Sequence, residues 1–283
     1  MAALQVGEIH ALSQYSSPPF RDLDRFEKDP KLQVIKWNHY TYWRLMFNVK
    51  EKPFNDLRVR QAFAYAIHKA KIVSACCAGV PMAAPNSGPL SPAVAWAFNT
   101  AAPNYPYDPA KAEALLQEAG PKKDASGVRL RCTLDFVDYL AGDKDMWLMA
   151  RDIFKKVGIE VDLKQYGAAA LNDKVYNQKK FQTSWAGGGT GPDPDQLRHM
   201  FHTEGSGNPC GYSNAEVNKL LTQASQLMKP EERQPLCYKV QELVDKDCIS
   251  IPIWNLVLDE VWSKDFTGGE GYSMYFADLA NID

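Results

Sequence analysis

No stretch of the 283 residues approaches the roughly 18 consecutive apolar residues that mark a spanning helix. Neither charge is in excess. The 32 Lys and Arg stand against 34 Asp and Glu, a formal net charge of −2, so nothing favours nucleic acid or an anionic membrane as partner. The six cysteines, at 76, 77, 132, 210, 237 and 248, form no CxxC, which argues against a zinc ribbon or a dithiol redox motif. They leave a disulfide open in an exported protein, without saying which pair. GxSxG, HExxH and a Gly-Lys-Ser/Thr phosphate loop are all missing. Internal repeats, heptads and low-complexity segments are missing too. The start, MAALQVGEIHAL, has no basic n-region or long apolar h-region, so no signal peptide is predicted there. What remains is an ordinary globular composition, 45% hydrophobic and 23% charged. The length suits one large domain or two small ones.

The most informative stretch is 42–73, YWRLMFNVKEKPFNDLRVRQAFAYAIHKAKIV. Tyr42 to Val49 is apolar and aromatic and predicts a strand. Pro53 breaks the pattern, and Asp56 predicts the N-cap of a helix running to about Val73. Val59, Phe63, Ile67 and Ala70 recur at three- and four-residue intervals, a stripe that packs the helix back on the strand.

Phe47-Asn48, Pro53-Phe54, Asp56, Arg58-Val59-Arg60-Gln61-Ala62 and Ala66-Ile67 together resemble the signature of the family 5 extracellular solute-binding proteins. These are the peptide- and nickel-type receptors of ABC importers. The run YDPAKAEALLQEAG at 107–120 matches a second motif of that family, with Asp108 as cap, Pro109 at the first helical position and Gly120 as stop. Tyr212-Ser213-Asn214 with Val217 and Leu220-Leu221, Glu232-Arg233 with Tyr238, and Ile251-Pro252-Ile253 resemble further family motifs. Gly7-Glu8-Ile9 does so with His10 as a departure.

Elsewhere Leu4, Val6, Ile9 and Leu12 predict the end of a packed segment. Leu23 and Phe26 suit a short helix, and 31–36 a strand. Six prolines between Val80 and Tyr107 preclude helix or central strand, and Trp96, Phe98, Tyr105 and Tyr107 supply packing for that long loop. Strands are predicted over 128–136, 159–165, 181–186, 250–255 and 256–262. Helices are predicted over 146–157, 168–178 and 194–201, from Asn214 to about Met228, and from Pro230 onward. Strands alternating with helices predict an α/β lobe with a parallel or mixed sheet.

Two clusters carry candidate chemistry. The turn 187–191 follows a strand and precedes a helix, where phosphate loops sit. Pro192 occupies the place of the third glycine of a GxGxxG, and Asp193 and Asp195 would repel a phosphate. A tight loop with close backbone approach is the simpler reading. His199 and His202 are three apart on a helix with Asp193 and Asp195 upstream, which admits a metal-assisted hydrolase as an alternative. Trp43, Trp96, Trp185 and Trp254 are the aromatics best placed to line a cleft, although each alone suits a core.

The resemblance implies a type II periplasmic-binding-protein-like lobe, its mixed sheet flanked by helices, plus remnants of the other lobe. It places a remnant of the first lobe and the crossover in 1–45, the second lobe in 46–255, and a return segment in 256–283. It implies that roughly the N-terminal half of a parent protein precedes this sequence. The implied role is capture of an oligopeptide-like or other small solute in the periplasm or at the cell surface, for delivery to a membrane permease. No catalysis, cofactor, metal or nucleic acid is expected, and a non-transport sensor on the same fold stays open. The cleft loop would bind the solute through Trp185, Gly187, Gly188, Gly189, Thr190 and Asp193. In peptide-binding members an aspartate three residues before the acidic residue of the DP or EP pair meets the peptide's ammonium. Thr190 stands at that place here.

Overall fold

The computed structural model describes residues 2–12, 23–76, 83–85, 88–120, 122–138, 143–188 and 191–265. Its seven strands are β1 (Ala11–Leu12), β2 (Leu32–Phe47), β3 (Ala83–Pro85), β4 (Leu130–Phe136), β5 (Ile159–Gln165), β6 (Thr183–Gly188) and β7 (Ser250–Ser263). They form one sheet in the order β1-β7-β2-β6-β4-β5, with β3 added to β7. β4 is parallel to β5 and β6, while β2 is antiparallel to β6 and β7. The sheet is therefore mixed, as the alternating patterns predict.

Alternation along the strands gives each face its own core. On one face Leu45, Phe47, Leu134 and Trp185 meet α3 (Leu57–Ala66), α4 (Lys69–Cys76), α5 (Pro109–Glu118) and α6 (Asp143–Lys156), through Phe63, Ile72, Leu116 and Phe154. On the other, Tyr42 and Met46 meet α7 (Ala168–Asn172), α8 (Gln196–Phe201), α9 (Ala215–Ser225) and α10 (Pro230–Asp247). Burying each large apolar side chain contributes about 1.5–3 kcal/mol. A third, small cluster of Leu4, Leu12, Phe26, Leu32 and Val261 lies at the outer end of the β2–β7 ribbon. It joins α1 (Ala2–Gln5) and α2 (Leu23–Glu27) to the strands.

Several elements depart from the sequence expectation. The signature helix is two helices, because Ile67 turns extended at φ −83°, ψ 123° and buries its side chain. His68 then starts a new helix, its Nδ1 accepting the Lys71 N–H at 3.3 Å. Asp56 does cap α3, accepting the Arg58 N–H at 2.9 Å. The segments 31–36 and 42–49 are one strand, and so are 250–255 and 256–262. The long strands persist because β2 and β7 pair from Leu32↔Ser263 to Met46↔Ser250, absorbing mismatch as register shifts at Asn38/Tyr42 and Trp43/Arg44. The helix expected over 168–178 relaxes after Asn172 into a π-helical turn, Asp173–Asn177. The helix expected from Pro194 begins at Gln196. Val6 and Ile9 are exposed, whereas Leu4 and Leu12 are buried. Of the loop aromatics Tyr107 is exposed, resting on the His68 ring at 4.7 Å.

Candidate functional site

The β6 strand ends at Gly187 and Gly188, which lie opposite Trp43 and Tyr42 of β2. Beside that end is a cavity of ≈ 380 Å³, within the range that holds small molecules. Trp43, Arg44, Ser184, Trp185 and Gly187 line it from the two strands. Asn172, Tyr176, Gln196, His199 and Met200 close it from the helical side. A larger hollow of ≈ 710 Å³ runs along the edge strand β5. Most of its charges are already paired, Arg131 with Asp124 and Glu160, Arg151 with Asp152, and Asp162 with Lys164.

Trp43 and Trp185, which border the smaller cavity, belong to an indole cluster packed in the core of the Leu45 face. Trp43 stacks on Trp185 at 5.3 Å and 24° and on Trp254 at 5.6 Å and 25°, while Trp147 meets Trp185 edge-on at 5.0 Å. Such stacks add to what burial alone contributes and hold the rings rigid. Gly187 leaves the Trp43 ring accessible. A Cβ there would lie 3.6 Å from Thr41 Cγ2 and 3.7 Å from the indole. Arg44 is 3% exposed; its Nη1 donates a long bond of 3.4 Å to the Tyr42 hydroxyl, and its Nε has no partner among the described residues. Ser184 Oγ and Trp185 Nε1 are likewise buried without partners.

Trp185 and Gly187 thus line the cavity, and Gly188 ends the strand beside it. Gly189 and Thr190 lie outside the described residues. Asp193 is turned to other work, its carboxylate gripped by the Arg233 guanidinium at 2.8 and 2.6 Å. That grip holds its pKa below the ordinary value. Among the other tryptophans, Trp254 is core, and Trp96 supports Arg233, whose guanidinium lies 5.5 Å from its ring centre.

The metal-assisted alternative does not assemble. Asp193 pairs with Arg233 and Asp195 with Arg198. His199 Nδ1 bonds Ser206 Oγ at 3.0 Å, and His202 Nδ1 accepts the Glu204 N–H. Among the described residues no three His, Cys, Asp or Glu side chains converge. Cys132, Cys210, Cys237 and Cys248 are free and buried, and burial pushes their thiols up to about 11 or 12. The feature that sequence reasoning missed is Arg44. Its signal was a cation at an inward position of a strand whose neighbours, Tyr-Trp-Arg-Leu-Met-Phe, are otherwise apolar or aromatic.

A mixed sheet flanked by helices on both faces is the architecture of a type II periplasmic-binding-protein lobe. The chain belongs to the bacterial extracellular solute-binding proteins, family 5, whose "Middle" profile matches residues 1–209. It is 28% identical over 240 residues to heme-binding protein A of Haemophilus influenzae, covering 83% of this chain and 43% of that protein. It is also 28% identical to the glutathione-binding protein GsiB of Shigella flexneri, over 98% of this chain and 55% of that one. The solved structure of HbpA2 from Haemophilus parasuis superposes with a TM-score of 0.88 at 21% identity, covering 100% of this chain and 55% of that chain. This chain spans about half the length of the relatives it matches.

Proposed function

We propose that this chain provides the solute-holding lobe of an extracytoplasmic receptor. The receptor captures a peptide-like or other small solute and passes it to an ABC permease in the membrane. The ≈ 380 Å³ cavity carries this reading, because a concave site of that size lined by apolar and polar side chains suits a small solute. Family membership and the glutathione-binding relative support it. The Trp185-Gly187-Gly188 strand end, with Gly189, Thr190 and Asp193 after it, forms the proposed rim. Asp193 serves there by fixing the rim to α10 through Arg233. The boundaries at 46 and 255 fit a β2–β7 ribbon that crosses between lobes, with the small outer cluster of Leu4, Phe26 and Val261 as the first lobe's share. Closure on a solute would then be selected by contacts to both lobes. No catalysis is proposed, and the site of action is the periplasm or the cell surface.

The test is equilibrium dialysis against di- to pentapeptides, glutathione and heme, with mass spectrometry of what the protein retains. Retention of one solute class at one molecule per chain, recovered chemically unchanged, is the expected result. Product formation, or saturable retention of none of them, overturns the reading.

A further inference from the structure

Among the described residues two arginines are buried, and they are treated very differently. Arg60, 6% exposed, donates to three backbone carbonyls: Phe54 at 2.8 Å, Asp247 at 2.7 and 3.2 Å, and Cys248 at 3.1 Å. That guanidinium ties α3 to the end of α10, which explains an arginine in the RVRQA motif. Arg44, 3% exposed, has only the 3.4 Å bond to the Tyr42 hydroxyl. No carboxylate among the described residues pairs with it. The rings of Tyr42 and Phe201, at 5.9 and 5.6 Å, offer only cation–π contact. A guanidinium cannot shed its proton to escape burial, and a lone buried charge opposes folding unless something compensates it. Arg44 also lines the cavity, as does Ser184, whose buried Oγ has no partner among the described residues.

We propose that Arg44 is the anchor for a carboxylate carried by the solute, received at the inner end of the cavity with Ser184 as a supporting donor. This rests on the cavity being the solute site. The buried groups left unmatched beside the cavity, a guanidinium and a hydroxyl, suit a group that accepts. A planar carboxylate matches the guanidinium fork and can take two parallel bonds from it. Strand geometry fixes the position. Arg44 and Ser184 are on the same face of the antiparallel β2–β6 pair, whose register sets Arg44 opposite Ala186 and Met46 opposite Ser184. The register shift between Trp43 and Arg44 on the β7 side sets the local aim of the side chain.

The test titrates the 283-residue chain with succinate, succinamide and inorganic phosphate, following tryptophan fluorescence from Trp43 and Trp185. Succinate is expected to give a saturable change that uncharged succinamide does not. Arg44→Lys should weaken succinate binding roughly tenfold or more, since a point charge replaces a fork, and Arg44→Met should abolish it. Without solute, Arg44→Met should melt no lower than the parent chain, because an uncompensated charge has been removed. Equal binding of succinate and succinamide, absence of succinate binding, or unchanged binding by Arg44→Met overturns the proposal. So does phosphate binding in place of succinate. A clear fall in the melting temperature of ligand-free Arg44→Met would make Arg44 a structural residue and also overturn it. If Arg44→Met retains a dialysis solute at parental affinity, solute capture stands and only the anchor falls.

Discussion

Asp193 and Arg233 meet in a two-point ion pair across 40 positions of sequence, with Nη1–Oδ2 at 2.8 Å and Nη2–Oδ1 at 2.6 Å. Asp193 Oδ1 also accepts the Asp195 N–H at 2.8 Å. The start of α8 is thereby tied to α10, and Trp96 supports the arginine from below. The aspartate side chain is 57% exposed, so water screens the pair. Asp193→Asn should cost about 0.2–1 kcal/mol. The Arg233 hydrogen bonds hold the Asp193 pKa below 3.8 in the folded state. The stabilisation is therefore present above pH 3.8 and lost as pH falls through the depressed folded value. Urea unfolding of wild type and Asp193→Asn should differ at pH 7 and converge at low pH. A gap that grows on acidification would contradict this.

With both Asp193 oxygens engaged, no carboxylate at this rim position is free to receive an ammonium group. A hydroxyl at Thr190 offers about 0.5–1.5 kcal/mol, against about 1.5–3 for a bond to a charged group. Peptides with free and with acetylated N-termini should therefore bind alike. Calorimetric titration of matched pairs checks this. Binding abolished by acetylation, and again by Asp193→Asn, would return the ammonium contact to this aspartate.

Gly205 allows the turn after α8 to close. A Cβ there would sit on the His199 carbonyl and within 2.8 Å of the Arg198 carbonyl oxygen. Backbone cannot yield as a side chain can, so Gly205→Ala should destabilise by about 1–3 kcal/mol. Gly187→Ala meets only ordinary contacts and should range from neutral to about 1 kcal/mol stabilising. Thermal unfolding of the two variants ranks them, and the reverse order would refute the packing.

Burial leaves Cys132, Cys210, Cys237 and Cys248 protonated at pH 8 and screened from reagents. Iodoacetamide should leave these four unmodified in the native chain and alkylate them in urea. Peptide mapping reads this directly, and rapid native labelling of any of the four would place it at the surface.

The two helix caps at Asp56 and Asp108 and the sheet's inner strands were legible because they depend on local chemistry and period. The break at Ile67 was not, since an isoleucine fits a continuous helical stripe as well as it fits the turn. The joined strands of β2 and β7 were also hidden, because each is held by the other across more than 200 positions. At the site, Trp185 and Gly187 could be read from the strand-to-glycine transition. Arg44 was obscured by its position inside an apolar strand, and only its unmet hydrogen bonds in three dimensions set it apart from Arg60.

The central claim, that solute is held in the cavity at the end of β6, is tested most directly by filling that cavity. Gly187→Leu would put a branched side chain between Thr41 and the Trp43 ring. Dialysis of this variant beside wild type, with circular dichroism to verify folding, should show the retained solute lost while the far-ultraviolet spectrum is unchanged. Undiminished retention by folded Gly187→Leu would place the solute elsewhere and contradict the account.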